Sequence, residues 1–193
     1  MDLVFVTNNQ NKLSEIKNLI SSNYNILSLE EIDFCDEIEE TENTLKGNAL
    51  LKARHIHSSF GYNCFADDTG LEIDYLNGAP GVISARYAGP KCLAQDNINK
   101  VLLELKNVEN RKARFVTVIA LILNGEEYFF RGECLGKITK KVYGQDGFGY
   151  DPIFIPNGSN QTFAQISQQK KGEISHRGIA VRNLISFLEK RYN

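Results

Sequence analysis

The sequence predicts an α/β fold on a mixed β-sheet, and three observations carry the prediction. The chain opens as strand, polar turn, helix, then strand again, the start of a parallel arrangement. A long β-hairpin comes later, which brings antiparallel pairing into the same sheet. No internal period and no Pro- or Ser-rich linker divides the 193 residues, so residues 1–193 are expected to form one domain. The pattern leaves strand order open.

Residues 2–6 read as a buried strand running straight into Thr7-Asn8-Asn9-Gln10-Asn11-Lys12. Leu13, Ile16, Leu19 and Ile20 then fall on one helical face. Residues 25–29 read as a second strand, followed by an acidic segment over residues 33–42. Leu45, Ala49, Leu50, Ala53 and Ile56 place a second helix over residues 42–57. A short apolar strand at residues 64–66 is expected to end in an Asp67-Asp68-Thr69-Gly70 turn, with another strand at residues 71–75. Ile98, Val101, Leu102 and Leu105 predict a third helix. Residues 113–123 and 126–134 flank Asn124-Gly125, whose tolerance of positive φ suits a type I′ hairpin turn. Gly144, Gly147 and Gly149 mark a loop, and residues 175–190 a last helix with Ile179, Leu184, Ile185 and Leu188 inward.

Composition excludes several classes. With 42% hydrophobic and 24% charged residues the chain is globular rather than disordered. Lys plus Arg (22) against Asp plus Glu (24) gives a net charge of −2, which offers a polyanion no global attraction, and no broad basic stripe supports an RNA-binding module. A local basic pocket for a small phosphate ligand stays compatible with that balance. The cysteines at 35, 64, 92 and 134 form no CxxC pair and read as reduced, mostly packed thiols. The first residues, MDLVFVTNN, lack a basic n-region, and the apolar run at residues 116–123 is too short to span a bilayer. A cytoplasmic protein that binds neither membrane nor nucleic acid is expected.

Four polar clusters could carry chemistry. Thr7 to Lys12 joins a strand end to a helix start, where backbone N–H groups, the dipole and a lysine together suit phosphate; the plain alternative is a capped helix with a solvated lysine. No GxxxxGK[ST] or GxGxxG turn is present. Glu37, Glu39, Glu40 and Glu42 precede one helix, and Asp67 and Asp68 follow a strand. Brought together they would offer oxygen ligands for Mg²⁺ and a base for an attacking water; apart they are dipole complements and a turn. In Gly147-Phe148-Gly149-Tyr150-Asp151-Pro152, backbone can approach a ligand closely and two rings could face a flat heterocycle, or the segment is an aromatic plug. His176 and Arg177 sit at a helix start, where cations oppose the dipole, so an anionic or carbonyl-bearing ligand explains them better than structure alone.

Five segments, VFVTNNQNKLSEI, EETENTLKGNALLKAR, FADDTGLEIDYLNGAPGVISARYAG, GFGYDPIFIP and ISHRGIAV, resemble the inosine/xanthosine triphosphate pyrophosphatase family in order and spacing over essentially the whole chain. Thr7-Asn8-Asn9 stands where the family usually has Thr-Gly-Asn or Ser-Gly-Asn. Thr41 is followed by Glu42 rather than glycine, Gly47 replaces a frequent glutamate, and Thr69 a frequent serine. The resemblance implies an elongated mixed sheet with helices forming two lobes around a cleft, a Mg²⁺-dependent cytoplasmic homodimer, and cleavage of ITP, dITP and XTP to monophosphate and pyrophosphate. By position, Thr7, Asn8, Asn9, Gln10, Asn11 and Lys12 match the phosphate loop, and Lys52 matches a basic residue near the phosphates. Glu39 or Glu40, with Asp67 and Asp68, match the metal-binding carboxylates, and Asp68 the proton acceptor. Thr69, Arg86, Phe148, Gly149, Tyr150, Asp151, Lys171, His176 and Arg177 match substrate contacts. On this resemblance Arg177, a donor that keeps its proton, would donate to the O6 of hypoxanthine or xanthine and mismatch the N6 amino group of adenine. A pyrophosphatase for modified or pyrimidine nucleotides, and a non-catalytic nucleotide sensor, are the competing readings.

Overall fold

Leu3 to Val6 are enclosed on both sides, so the first strand runs through the interior and delivers the polar residues after it at its carboxyl end. The structure, a computed structural model, describes residues 1–20 and 24–192. The elements are β1 (Asp2–Phe5), α1 (Gln10–Leu19), β2 (Asn25–Leu27), α2 (Leu45–Phe60), β3 (Cys64–Ile73), β4 (Pro80–Gly81) and α3 (Ala94–Glu104). They continue as β5 (Lys112–Leu123), β6 (Glu126–Ile138), β7 (Phe154–Pro156), α4 (Gln168–Ile174) and α5 (His176–Tyr192). One sheet has the order β2-β1-β3-β5-β6-β7, with β4 against β3. β1 lies parallel to β2 and β3, while β4 and β7 run antiparallel to β3 and β6. The α/β class and the mixed sheet are therefore as expected.

The chain forms two compact units, one of Met1–Asp68, Thr117–Gly132 and Arg177–Asn193, the other of Thr69–Val116 and Glu133–His176. In the first unit β1 alternates its side chains between two cores, which is why its sequence is apolar throughout. Leu3 and Phe5 join Ile16 of α1, Ile119 and Leu184 of α5. Val4 and Val6 join Ala49, Ala53 and Ile56 of α2. Phe5 and Phe65, register partners in the parallel pair, stack at 4.8 Å. The second unit has its own core, in which Leu71, Ile73, Val101, Leu105, Phe115, Phe154 and Phe163 meet.

Several boundaries differ from expectation for local reasons. α2 starts at Leu45 rather than at 42, because extended Thr44 caps it by accepting from the Gly47 N–H, and Gly61 at φ 74° ends it. The expected turn at residues 67–70 is instead the middle of one continuous strand, β3, with Asp67 and Asp68 fully inside. Gly70 lets β4 approach: a Cβ there would lie 2.7 Å from the Gly81 carbonyl oxygen. The Asn124-Gly125 turn has φ of 52° and 81°, as a type I′ turn requires, and β6 continues past Cys134 to Ile138. The short helix α4 was not foreseen. Two thiols, Cys64 and Cys134, are buried, and burial pushes them up to about 12 and 11, whereas Cys35 and Cys92 are exposed. No helix among the described residues is long and apolar enough to cross a membrane.

Candidate active site

The first unit gathers charge around β3. Asn9 caps α1 by accepting from the N–H groups of Asn11 and Lys12, and Thr7 Oγ1 accepts from the Asn9 N–H. The N–H groups of Asn11 and Lys12, expected to be open to phosphate, are thus engaged by the protein's own cap. Asn8, Gln10 and Asn11 are exposed, and Asn8 Nδ2 donates to the Asp36 carbonyl at 3.4 Å. Lys12 is not solvated: its side chain is 15% exposed and its ammonium lies 2.9 Å from Asp67 Oδ1.

Asp67 is the hub of a closed set. Arg177 donates to Asp67 Oδ2 through Nε and Nη2, both at 3.1 Å, and through Nη1 to Glu15 Oε2 at 2.6 Å. Burial alone would raise Asp67, but Lys12, Arg177 and Lys52 hold it well below the usual carboxylate range. Burial lowers the Lys12 ammonium, and its Asp67 partner only partly offsets that. Two cations and two carboxylates meet here, and Asp67 presents its oxygens to Lys12 and Arg177. Arg177, expected among the substrate contacts, is 2% exposed and anchored on the Asp67 and Glu15 carboxylates.

A second set lies beside it. Asn48 and Lys52, one turn apart on α2, face the same way. Asn48 Nδ2 donates to Asp68 Oδ2 at 3.2 Å while its Oδ1 accepts from the Glu42 N–H at 2.9 Å. Lys52 Nζ donates to Glu40 Oε1 at 2.6 Å and to the Asp67 main-chain oxygen at 2.7 Å. Burial pushes Asp68 up to about 6; Lys52 works against this, and Glu40 adds to it. Lys52 is thus bonded to Glu40, and its charge also acts on Asp68. Such a donor set, hard carboxylate oxygens with a cation already drawn in, fits Mg²⁺, which needs only one or two protein carboxylates when phosphates supply the rest. Among the described residues no cluster of three or more His, Cys, Asp or Glu side chains that could hold a metal ion is present. Glu39 is exposed, whereas Glu40 is half-buried and bonded to Lys52.

The sequence departures at 42 and 47 belong together. A Cβ on Gly47 would come within 2.8 Å of the Glu42 Cβ, so Glu42 fills the room a glutamate at 47 would need. Glu15 and Asn48 escaped sequence reading. Glu15 lies three positions after Lys12 on α1, and Asn48 is a polar residue on the apolar face of α2; both signals were visible.

The second unit holds the remaining expected contacts. Lys171, 5% exposed, lies 2.5 Å from Asp151 Oδ2, which also accepts from the Phe148 N–H at 2.9 Å. The Lys171 ammonium sits 4.6 Å from the Phe148 ring centroid. Tyr150 is buried and donates its hydroxyl to the Ser84 carbonyl at 2.7 Å, so it is a core plug and not an open ring face. His176 stacks on Phe115 at 4.5 Å, so aromatic packing contributes to holding it where a ligand was expected to. Thr69 and Gly149 are part-buried, and part-buried Arg86 closes a 3₁₀ turn, Ser84–Arg86. Gly147, at φ 75°, is required by Asp151: an added Cβ would lie 2.3 Å from Asp151 Oδ2. Gly147→Ala is expected to cost about 1–3 kcal/mol through strain and displacement of that carboxylate, and thermal unfolding should show it as a drop of several degrees. An unchanged melting temperature would contradict this.

The Ham1 family model matches residues 3–187. The dITP/XTP pyrophosphatase of Flavobacterium psychrophilum is 51% identical over 189 residues, covering 98% of this chain and all of the relative. That of Porphyromonas gingivalis is 49% identical, covering 96% of each chain. Among solved structures, the Staphylococcus aureus Ham1 protein superposes with a TM-score of 0.89 at 39% identity, over 99% of this chain and all of the other. A HAM1 protein from Coxiella burnetii gives 0.90 at 37%, over 98% and 99%.

Proposed function

We propose, from the premise that this chain belongs to the Ham1 family, that it is a pyrophosphatase of deaminated purine nucleoside triphosphates. ITP, dITP and XTP are cleaved to the monophosphate and pyrophosphate. The observation that carries the chemistry is Asp68, a buried carboxylate raised to about 6 beside Glu40 and fixed by Asn48.

Glu40 and Asp68 would hold Mg²⁺, with Asp67 beside them bonded to Lys12 and Arg177. Bound there, Mg²⁺ supplies charge neutralisation on phosphate oxygens. Asp68 accepts a proton from the attacking water, and its value near neutrality matches that task. Asn48 sets the direction of the Asp68 carboxylate. Lys12 and Lys52 add positive charge toward the triphosphate, and Lys171 and Phe148 contribute substrate contacts in their own unit. Arg177 keeps Asp67 and Lys12 in place. The protein acts as a cytoplasmic homodimer, a state that light scattering in solution tests.

Exhaustive chelation followed by readdition of Mg²⁺ tests the metal assignment: activity should vanish and return, and full turnover in chelator would end it. The acid limb of kcat/KM tests the base. Asp68 must be ionised both to take a proton and to bind a cation, so kcat/KM at limiting Mg²⁺ should fall about tenfold per pH unit below about 6. A flat profile down to pH 5 would assign the base elsewhere.

A further inference from the structure

We infer that Lys52 is a resident cation of the metal site: its ammonium, 2.6 Å from Glu40 Oε1 and 2.7 Å from the Asp67 main-chain oxygen, occupies the Glu40 end of the Glu40–Asp68 pair until Mg²⁺ displaces it toward the phosphates. The inference rests on the metal reading above and concerns what this lysine does to it. Lys52 is 9% exposed, and its main electrostatic partners are Asp68, Glu40 and Asp67 in that order. A divalent cation entering between Glu40 and Asp68 meets one carboxylate oxygen already taken and a like charge beside it. It must compete.

Lysine suits a replaceable counter-ion. It is a point charge on a flexible four-carbon stem, with three donors that can be re-aimed as partners change. Arg177, by contrast, spreads a rigid fork over Asp67 and Glu15 and has no comparable freedom. A triphosphate offers Lys52 new anionic partners, so nucleotide should relieve its competition with the metal. Mg²⁺ and nucleotide should then bind with positive coupling, each strengthening the other by the same factor.

The test is a calorimetric titration of Mg²⁺ into the nucleotide-free full chain, wild type against Lys52→Met and Lys52→Gln, beside turnover of ITP. The inference expects opposite signs: Mg²⁺ binds about tenfold more tightly to the variants, within the usual range of such couplings, while kcat falls. Equal Mg²⁺ affinity, with binding in both, leaves the metal reading standing and overturns the role of Lys52. Weaker binding in the variants overturns it too, since Lys52 would then be organising the pair. No Mg²⁺ binding by any form, together with metal-independent turnover, removes the metal reading itself. Wild-type protein gives an answer even if the variants misfold. Acylation of Lys52 by a small amine reagent, read by mass spectrometry, should rise when Mg²⁺ is added, and an unchanged or reduced yield overturns the displacement.

Discussion

Asp68→Asn lowers kcat for ITP at least about 10²-fold at saturating Mg²⁺, the lower range for loss of a general base. The substitution keeps the shape and can still accept from Asn48 Nδ2, which now reaches Oδ2 at 3.2 Å, so the fold should hold. What it removes is the charge that draws a cation to Glu40 and the site that takes the proton of the attacking water. Asp67 cannot take over, because Lys12 and Arg177 occupy its oxygens and hold it ionised. Steady-state kinetics over a range of Mg²⁺ separate the two losses: excess Mg²⁺ should restore metal occupancy and leave the deficit in kcat. A variant with near wild-type kcat would exclude Asp68 as the base.

Arg177→Ala acts through a different link, from packing to position. It strips a fully buried hub carboxylate of two of its donors and leaves Glu15 without its 2.6 Å partner. Breaking a buried pair from one side costs about 3–5 kcal/mol, which for a chain of this size lowers the melting temperature on the order of 10 °C. The sequence reading placed Arg177 against the purine O6, and on that reading the ITP-to-ATP ratio of kcat/KM would collapse. The geometry points to a different result: both substrates should fall by the same factor, because what is lost is the setting of Asp67 and Lys12. Arg177→Lys should rescue little, since a point charge cannot span Asp67 and Glu15 as the planar fork does. A collapsed ratio at an unchanged melting temperature would return base selection to Arg177.

The elements most legible in the sequence were those specified by neighbours along the chain. The apolar face of α2, the strand–cap–helix opening and the Asn124-Gly125 turn all follow from local periodicity or backbone preference. β3 was misread for the opposite reason. Asp67-Asp68-Thr69-Gly70 looks like a turn because unpaired carboxylates do not belong inside a strand. The partners that let them stay there, Lys52, Asn48, Lys12 and Arg177, lie 15, 20, 55 and 110 positions away, beyond any window of periodicity. The same distance hid the roles of Arg177 and Lys12. α4 was missed because Gln168–Ile174 is seven residues with little apolar pattern, started by a Ser167 cap. Whether Tyr150 is a ring face or a plug stayed open in the sequence, which shows an aromatic in a glycine loop and not the Ser84 carbonyl that receives its hydroxyl.

A centre that hydrolyses deaminated purine triphosphates with Asp68 and a metal held at Glu40 should discriminate among nucleotides and depend on the ion. Turnover of ITP, XTP, dITP, GTP and ATP by the full chain, side by side with and without Mg²⁺ and with pyrophosphate as the detected product, tests it most directly. Pyrophosphate should be released from ITP, XTP and dITP only with Mg²⁺, at kcat/KM values far above those for GTP and ATP. Equal rates on all five, or release of inorganic phosphate in place of pyrophosphate, would contradict it.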